Sequence, residues 1–597
     1  MLPPDYRSVL IDALRPPPGA SFDRAVALTF TLDLESALVV PLAFGAHAAR
    51  ETQDPLAIME AVRGSAEHVD VFCQAGHVTV PRTGSDLLAF LEPMIHPVAR
   101  PRPGFLYHPK LWAVRYWDPN EECYLARLLV LSRNLTNDRS WDVCLRLDGV
   151  VRNRPIGRNR PLFELLRHSV DFAVAPFPAE RREGVLSLAE DLRRVEWELP
   201  DGAKDLAFYA IGVPGGGRPK FAGTRCLVVS PFYNEAGLEI TADSHEVAVV
   251  GRQDELDRLP SDTLEGVDAY VLSELAGLPP DEVSETGEKQ GLLTGLHAKL
   301  YVVEHGHTAR VLLGSANATG AAFTGNVEFL VELVGGRKQL GIETMLGAGA
   351  EFRSILEPYN RQSAVEVDDD QRVLDNLVRA LAEIPLTATV EPDQHDDGTR
   401  RLGRLRIRLT SDVPAPAAEE VRVTAELLTR RGEAAELALG VPVDASFAEL
   451  AVFDVTPFVI ITAQDDHGGR ATTVVHAQLV GDPADRLDQV LARQIDTPEK
   501  FLRFLALLLG LGADHSMLIP ADGDASGGTW VTTGGLGILE LLMRALVDRP
   551  KQLDDLGRLV DRLRSTDDGD ALLPEGFVEV WDVVAAVRRE LAMEEAG

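Results

Sequence analysis

The chain has 597 residues, 45% of them hydrophobic, which is typical of a globular protein of roughly three to four domains and excludes a disordered chain. Its formal net charge of −33 excludes a protein that coats nucleic acid with its whole surface, although it allows a local basic channel. The four cysteines lack the close CxxC spacing of a structural zinc site, so we expect neither a metal nor another cofactor.

Hydropathy argues against a membrane protein. The N-terminal segment has no basic region followed by an apolar run, and apolar stretches such as residues 504–513 are too short to span a bilayer. We therefore expect a cytoplasmic protein without a membrane partner.

The first polar motif follows two predicted strand regions, at residues 23–44 and 68–76. Four polar residues then occur on or just after the next two predicted strands: His108, Lys110, Ser132 and Asn134. Because alternate side chains of a strand share a face, the members of each pair point the same way. An acid, Asp142, leads into the strand that follows.

The same order of elements recurs about 190 residues later. Predicted strand regions at 224–241 and 246–252 precede a second set of polar residues: His297, Lys299, Ser315 and Asn317. Here the acid that leads into the next strand is Glu328. Strands that alternate with helical stretches indicate an α/β unit, and the repeat predicts two copies of it, at residues 1–165 and 166–365.

Two such halves related by a pseudo-twofold axis would bring two histidines, two lysines and two asparagines into one cleft. Two facing histidines suit a nucleophile and a general acid, since a neutral imidazole attacks while an imidazolium donates a proton. The lysines and asparagines supply hydrogen-bond donors for an anion whose charge is spread over several oxygens. A phosphodiester fits this description best.

The repeated motifs resemble those of the phospholipase D superfamily, whose members carry two HxK motifs with a following GSxN. The second copy matches closely, with Gly314 before the serine and Glu304 where the family usually has an aspartate. In the first copy Arg115 occupies the acidic position and Leu131 replaces the glycine. Because that acid is usually a supporting residue in the family, we expect a weakened rather than an absent site.

The resemblance implies a duplicated phospholipase D-like core of two α/β halves with pseudo-twofold symmetry. It implies His108 as the nucleophile and His297 as the acid, although the closer match of the second motif favours the reverse assignment. It also assigns Lys110, Lys299, Asn134 and Asn317 to catalysis. Five further residues are expected in supporting roles: Ser132, Asp142, Glu304, Ser315 and Glu328.

A basic segment adjoins the first motif. Residues 96–160 contain twelve Lys and Arg against six acids, a net charge of +6 within an acidic chain. Six of its arginines are predicted to contact nucleic acid: Arg133, Arg139, Arg152, Arg154, Arg158 and Arg160. A solvated face with scattered arginines would give the same composition.

The remaining chain predicts two further domains. Alternating strands separated by Pro, Gly and Asp turns predict a small antiparallel β-sandwich at residues 366–482, for packing or partner contacts. Apolar residues at helical spacing predict a helical domain at 483–597.

Together these features favour a metal-independent nuclease that cleaves DNA, with RNA as the second candidate, through a phosphohistidine. Family analogy alone adds a bacterial restriction or anti-phage defence system, with a helicase or another defence protein as partner. A lipid phosphodiesterase or transferase is an alternative, but the acidic C-terminal helices do not resemble a lipid-docking surface. A catalytically inactive scaffold that binds nucleic acid or protein is the third possibility.

Overall fold

The computed structural model is a mixed α/β protein with several sheets. The structure describes residues 10–44, 63–82, 84, 86–137, 140–273, 295–362, 369–394, 400–495, 497–508, 518–520, 530–532, 542–543, 545–546, 550–564, 572–574 and 577–596. Among these residues, no helix is both long enough and apolar enough to cross a membrane.

The first large sheet has seven strands. In spatial order they are Ile95–Val98, Val69–Gln74, Ser21–Thr29, Leu111–Asp118, Cys123–Leu131, Cys144–Val151 and Val195–Trp197. The first three strands are mutually parallel, and each later strand runs antiparallel to its neighbour. Five consecutive buried residues end the strand Ser21–Thr29, as expected for a strand covered on both faces.

The second large sheet has eight strands. In spatial order they are Leu356–Pro358, Asp268–Leu272, Glu246–Gly251, Arg225–Val229, Leu300–His305, Thr308–Gly314, Glu328–Gly336 and Ala203–Ile211. Apart from the edge strand Leu356–Pro358, the directions of its strands match those of the first sheet. The order along the chain differs at one position, because Ala203–Ile211 precedes the other strands of its sheet whereas Val195–Trp197 follows those of the first. In both sheets, four antiparallel strands lie beside a set of three parallel ones.

Two helices, Arg160–Asp171 and Ala179–Leu192, lie along the chain between the last two strands of the first sheet. Their buried leucines join one apolar cluster with side chains from both sheets, among them Val26, Leu28, Leu227 and Val229. The strand Val195–Trp197 still pairs with the first sheet, and the second sheet begins at Ala203. The division expected at residue 165 therefore falls inside a helix, and the first sheet extends beyond it.

Residues 369–482 begin with the helix Asp369–Ala382 and continue into two four-stranded sheets. The sheets are Pro442–Leu450, Arg400–Pro414, Thr387–Gln394 and Gln478–Val480, and Ala435–Leu437, Val421–Leu427, Phe458–Asp465 and Arg470–His476. Both contribute side chains to one apolar cluster. One pair departs from the expected antiparallel arrangement, because Thr387–Gln394 runs parallel to Gln478–Val480.

This region packs against the first sheet. A Cβ atom on Gly76 would lie 2.7 Å from Cα of Arg379, so only a glycine lets the helix approach this closely. Arg100 forms two hydrogen bonds with the carboxylate of Glu383, at 2.6 and 2.8 Å.

Beyond residue 482 the structure describes four longer helices, Arg486–Gln494, Pro498–Leu508, Pro550–Arg564 and Phe577–Ala596. The segments Leu518–Pro520 and Trp530–Thr532 form an antiparallel pair of strands, so this region is not purely helical as expected. Strands of three residues are too short to show a hydropathy period, which is why the sequence does not reveal them.

Candidate active site

Each His-x-Lys segment is held by the other large sheet. The backbone N–H of His108 donates to the carbonyl of Val327 at 2.8 Å, and the N–H of His297 donates to the carbonyl of Trp141, also at 2.8 Å. These acceptors directly precede the two acids that the sequence singles out. The two motifs therefore lie side by side, and each half positions the histidine of the other.

The two serines fix the loops that follow the second strand of each motif. The hydroxyl of Ser132 accepts the backbone N–H of Val143 at 2.9 Å. In the matching position, Ser315 accepts the N–H of Phe329 at 2.9 Å and donates to the carboxylate of Glu328. The serine hydroxyls thus bind the backbone next to the acids, and among the described residues neither hydroxyl bonds to a histidine ring.

Glu328 is fully buried and contacts His108 directly. The Nδ1 atom of His108 lies 2.9 Å from Oε2 of Glu328, while Nδ2 of Asn326 donates to Oε1 at 3.1 Å. Burial alone would raise the pKa of Glu328, but His108 and Lys110 together lower it below its ordinary value. An ionised carboxylate accepts a hydrogen bond from Nδ1–H, so the lone pair of the neutral ring is on Nε2.

His297 has a different partner. Its Nδ1 atom lies 2.9 Å from the backbone carbonyl oxygen of Ser132, which also accepts from Nζ of Lys299 at 3.2 Å. Asp142, which corresponds to Glu328 in the other half, lies 3.8 Å from Nε of Arg133. The Nδ1 atom of His108 therefore contacts a carboxylate, whereas Nδ1 of His297 contacts a neutral carbonyl oxygen.

Both lysines are buried beside the histidines. Nζ of Lys110 donates to the carbonyl of His108 at 3.1 Å, and Nζ of Lys299 donates to the carbonyl of His297 at 2.9 Å. Burial, and then the positive charge of Lys299, hold the pKa of Lys110 well below its ordinary value, while Glu328 acts in the opposite direction. An anion between the lysines would favour their charged forms.

The same concentration of positive charge acts on the histidines. Burial lowers the pKa of His108 to about 4, a decrease that Glu328 opposes and Lys110 reinforces. Burial, then Lys299 and Lys110, lower the pKa of His297 to about 2. Both rings are therefore neutral at pH 7 in the free protein, and an anionic ligand is required to make either one an acid.

The two asparagines each present a buried polar atom without a partner. Among the described residues, no group hydrogen-bonds to Oδ1 of Asn134 or Oδ1 of Asn317. The residue after each asparagine is fixed by a hydroxyl: the N–H groups of Leu135 and Ala318 donate to Thr29 and Ser230, both at 3.0 Å. A buried acceptor that is held in place without a partner is an atom whose hydrogen bonding a ligand could complete.

The acidic position of the motif has a structural role in both halves. In the second half the buried Glu304 pairs with Arg337 at 2.9 Å and with Arg225 at 3.4 Å. In the first half Arg115 pairs with Asp23 at 2.6 Å. An ion pair is thus present at this position in both halves, with the charges exchanged. Among the described residues, neither Glu304 nor Arg115 contacts a motif histidine.

The glycine of GSxN is needed in the second half only. Gly314 has a φ of +151°, and a Cβ atom there would lie 2.1 Å from the carbonyl oxygen of Phe329. Among the described residues, positive φ at non-glycine positions is confined to Glu122, Glu420 and Glu449. Leu131 therefore adopts an ordinary backbone conformation, which explains how it replaces the glycine.

The six arginines predicted to contact nucleic acid have different surroundings, and Arg139 lies outside the described residues. Three form ion pairs: Arg152 with Glu196, Arg158 with Asp205 and Arg160 with Glu164. Arg133 lies near Asp142, as described above, and Arg154 is exposed. Carboxylates outside residues 96–160 thus balance much of the positive charge of that segment.

Two site residues, Phe30 and His77, were not identified from the sequence. The ring of Phe30 lies between the rings of His77 and His108, with centroid distances of 4.0 and 4.9 Å. Burial, followed by the charge of Arg379, lowers the pKa of His77 to about 3. Neither residue belongs to a repeated pattern, so nothing in the sequence marks them.

Thr29 and Ser230, which hold the asparagine loops, were also missed, although here a signal exists. Thr29 ends the strand Ser21–Thr29, Ser230 directly follows the strand Arg225–Val229, and each donates to the carbonyl two residues later at 2.8 Å. A hydroxyl at matching positions of the two halves could have been found by aligning them.

No protein-family model matches the chain. No curated protein sequence matches it either. A solved structure, the polyphosphate kinase from Porphyromonas gingivalis, is similar over 56% of this chain with 13% sequence identity and a TM-score of 0.29. The similarity spans 42% of the kinase chain, and at this TM-score it carries no argument about the activity of the protein.

Proposed function

We propose that the chain is a metal-independent phosphodiesterase with a duplicated phospholipase D-like core, acting on DNA through a phosphohistidine. The observation that carries the proposal is the reciprocal placement of His108 and His297, each with a buried lysine, beside asparagine side chains whose buried Oδ1 atoms have no partner among the described residues. The lysine ammonium groups and the asparagine Nδ2 groups supply the donors that a phosphoryl group requires in its transition state. RNA is the alternative polymer.

In the proposed mechanism, His108 is the nucleophile and His297 the general acid, because their Nδ1 atoms have different partners. Glu328 accepts a hydrogen bond from Nδ1–H of His108, so the Nε2 lone pair attacks phosphorus and forms the N–P bond. The P–O bond to the leaving group breaks, and a protonated His297 transfers its proton to the departing oxygen. His297 then removes a proton from water, whose oxygen attacks phosphorus. Cleavage of the N–P bond restores His108.

The substrate itself makes His297 an acid. In the free protein its pKa is lowered to about 2 by burial and the neighbouring lysines. A bound phosphodiester carries a negative charge that offsets those lysines, which raises the pKa of the ring. Protonation of His297 is therefore coupled to substrate binding.

A substrate with a good leaving group tests the assignment. With bis-p-nitrophenyl phosphate the first step needs no acid, so His297→Ala is expected to release a burst of about one nitrophenol per site and then stall. His108→Ala is expected to release none. Both experiments are done with excess EDTA, together with cleavage of labelled single- and double-stranded DNA.

Two results would contradict the proposal. Turnover by folded His108→Ala at the wild-type rate would exclude this nucleophile, and activity that EDTA abolishes would exclude the metal-independent mechanism.

Residues 366–482 and 483–597 are proposed as appended domains. A helicase or another defence protein is the proposed partner, on family resemblance alone, and co-purification from the native cell would test it.

A further inference from the structure

A groove of about 520 Å³ lies where the two large sheets meet, outside the cluster of motif residues. Arg102 and Arg218 line it, together with Thr324 and Gly325. Both arginines are exposed, and each guanidinium donates to the carbonyl oxygen of Thr324 at 3.3 Å. Two cations from different halves of the core thus converge on one backbone atom.

The charges of these arginines are not balanced locally. Among the described residues, no carboxylate forms an ion pair with Arg102 or Arg218. Nearby arginines differ in this respect, since Arg100 pairs with Glu383 and Arg115 pairs with Asp23. In a chain with a net charge of −33, a groove with two unbalanced guanidinium groups is suited to an anion.

Packing holds one of the arginines in position. The guanidinium of Arg102 lies over the ring of Phe105, 4.2 Å from its centroid. That ring packs against the backbone of Gly325, where a Cβ atom would lie 2.0 Å from a ring carbon. The arginine is therefore oriented before any ligand binds, which reduces the entropy lost on binding.

The walls of the groove lead directly to the motif residues. The N–H of Leu106 donates to Oδ1 of Asn326 at 2.9 Å, and the N–H of Val327 donates to the carbonyl of Leu106 at 2.8 Å. Glu328 lies four positions after Thr324, and four extended residues span at most ~14 Å. At a helical rise of ~3.4 Å per nucleotide, this distance corresponds to at most about four nucleotides.

We propose that this groove binds a backbone phosphate of the polynucleotide substrate, within about four nucleotides of the scissile phosphodiester. This inference rests on the proposed function. Guanidinium groups match the geometry of a phosphate through paired N–H donors. The groove therefore provides affinity for a polymer, whereas the histidine cleft provides the chemistry.

The test compares the double variant Arg102→Ala/Arg218→Ala with a control, Arg404→Ala/Arg422→Ala, that removes two exposed arginines from the sheets of residues 369–482. Binding of a short fluorescent single-stranded DNA is measured by anisotropy at several salt concentrations. Loss of two phosphate contacts should reduce the slope of log Kd against log salt by about 1.4 and weaken binding about tenfold near 0.15 M salt. Hydrolysis of bis-p-nitrophenyl phosphate, which is too small to reach the groove, should be unchanged.

The outcomes separate the groove from the chemistry. An unchanged slope in the groove variant, a reduction in the control instead, or no DNA binding by the wild type would overturn the inference. Loss of nitrophenyl ester hydrolysis in the groove variant would also overturn it, since the arginines would then act at the reacting phosphate. If the wild type hydrolyses neither bis-p-nitrophenyl phosphate nor DNA, the proposed chemistry is wrong. The salt dependence of DNA binding alone then tests whether the groove binds a phosphate.

Discussion

Replacing Glu328 with glutamine tests the contact that distinguishes the two histidines. The carboxylate accepts from His108, Ser315 and Asn326, and it is fully buried. Glutamine has nearly the same shape, but its amide nitrogen cannot accept a hydrogen bond. If that nitrogen faces His108, it donates to Nδ1, and the ring proton moves to Nε2. The attacking atom then has no lone pair.

The expected loss is large. A buried hydrogen bond to a charged group contributes about 1.5–3 kcal/mol. Replacing the carboxylate that orients a catalytic histidine, with its geometry retained, costs up to ~10⁴-fold in kcat because the wrong tautomer is held. We therefore expect Glu328→Gln to lower kcat for bis-p-nitrophenyl phosphate about 10³-fold, equivalent to ~4 kcal/mol in the barrier.

The matched control is Asp142→Asn, which alters the corresponding acid of the other half. Because Nδ1 of His297 faces the carbonyl of Ser132, we expect a less than about fivefold effect on kcat. Thermal unfolding checks that both variants are folded. If Glu328→Gln retains kcat within about threefold, or if Asp142→Asn causes the larger loss, the assignment of His108 as nucleophile is wrong.

Three further predictions follow from the site. The variant R115E, which restores the acid of the first motif, should lower the free energy of unfolding by about 3–5 kcal/mol in urea titrations, since it places a carboxylate against Asp23; equal or greater stability would contradict the charge exchange. Gly314→Ala should cost about 3 kcal/mol because of its contact with a backbone carbonyl, and a neutral effect would contradict that geometry. When tungstate binds at pH 7, the protein should take up about one proton. His297 is neutral before binding, because burial lowers its pKa to about 2, and the bound dianion raises that pKa. Calorimetry in buffers of different ionisation enthalpy should show this uptake in the wild type but not in His297→Asn, and equal uptake by both would assign the proton elsewhere.

The motif residues were predictable because polar side chains on apolar strands are conspicuous when they repeat. The structure places both His-x-Lys segments directly before the strands Leu111–Asp118 and Leu300–His305, rather than on them as predicted, but at matching positions of the two halves. The contacts between halves are less accessible to sequence reasoning. Nothing local to His297 predicts that its Nδ1 faces a backbone carbonyl, since that depends on the packing of two distant segments.

The division between the large sheets shows a similar limit. Helical spacing indicates the helices between residues 160 and 192, but it does not show to which sheet the strands before and after them belong. The strand Val195–Trp197 has three residues and no hydropathy period, so only its pairing with residues 149–151 assigns it to the first sheet. Phe30 and His77 likewise reach His108 only through tertiary packing.

A repeated motif suggests two equivalent histidines, yet a nucleophile and an acid must differ. The backbone here is nearly symmetric, since the N–H of each histidine donates to the other half at 2.8 Å. The difference lies at Nδ1: a carboxylate contacts this atom of His108, whereas a carbonyl oxygen and Nζ of Lys299 contact it in His297. In the proposed mechanism, the carboxylate stabilises the cation that forms as His108 attacks, whereas the surroundings of His297 favour loss of its proton. The proposed roles therefore differ through side-chain contacts on a nearly symmetric backbone.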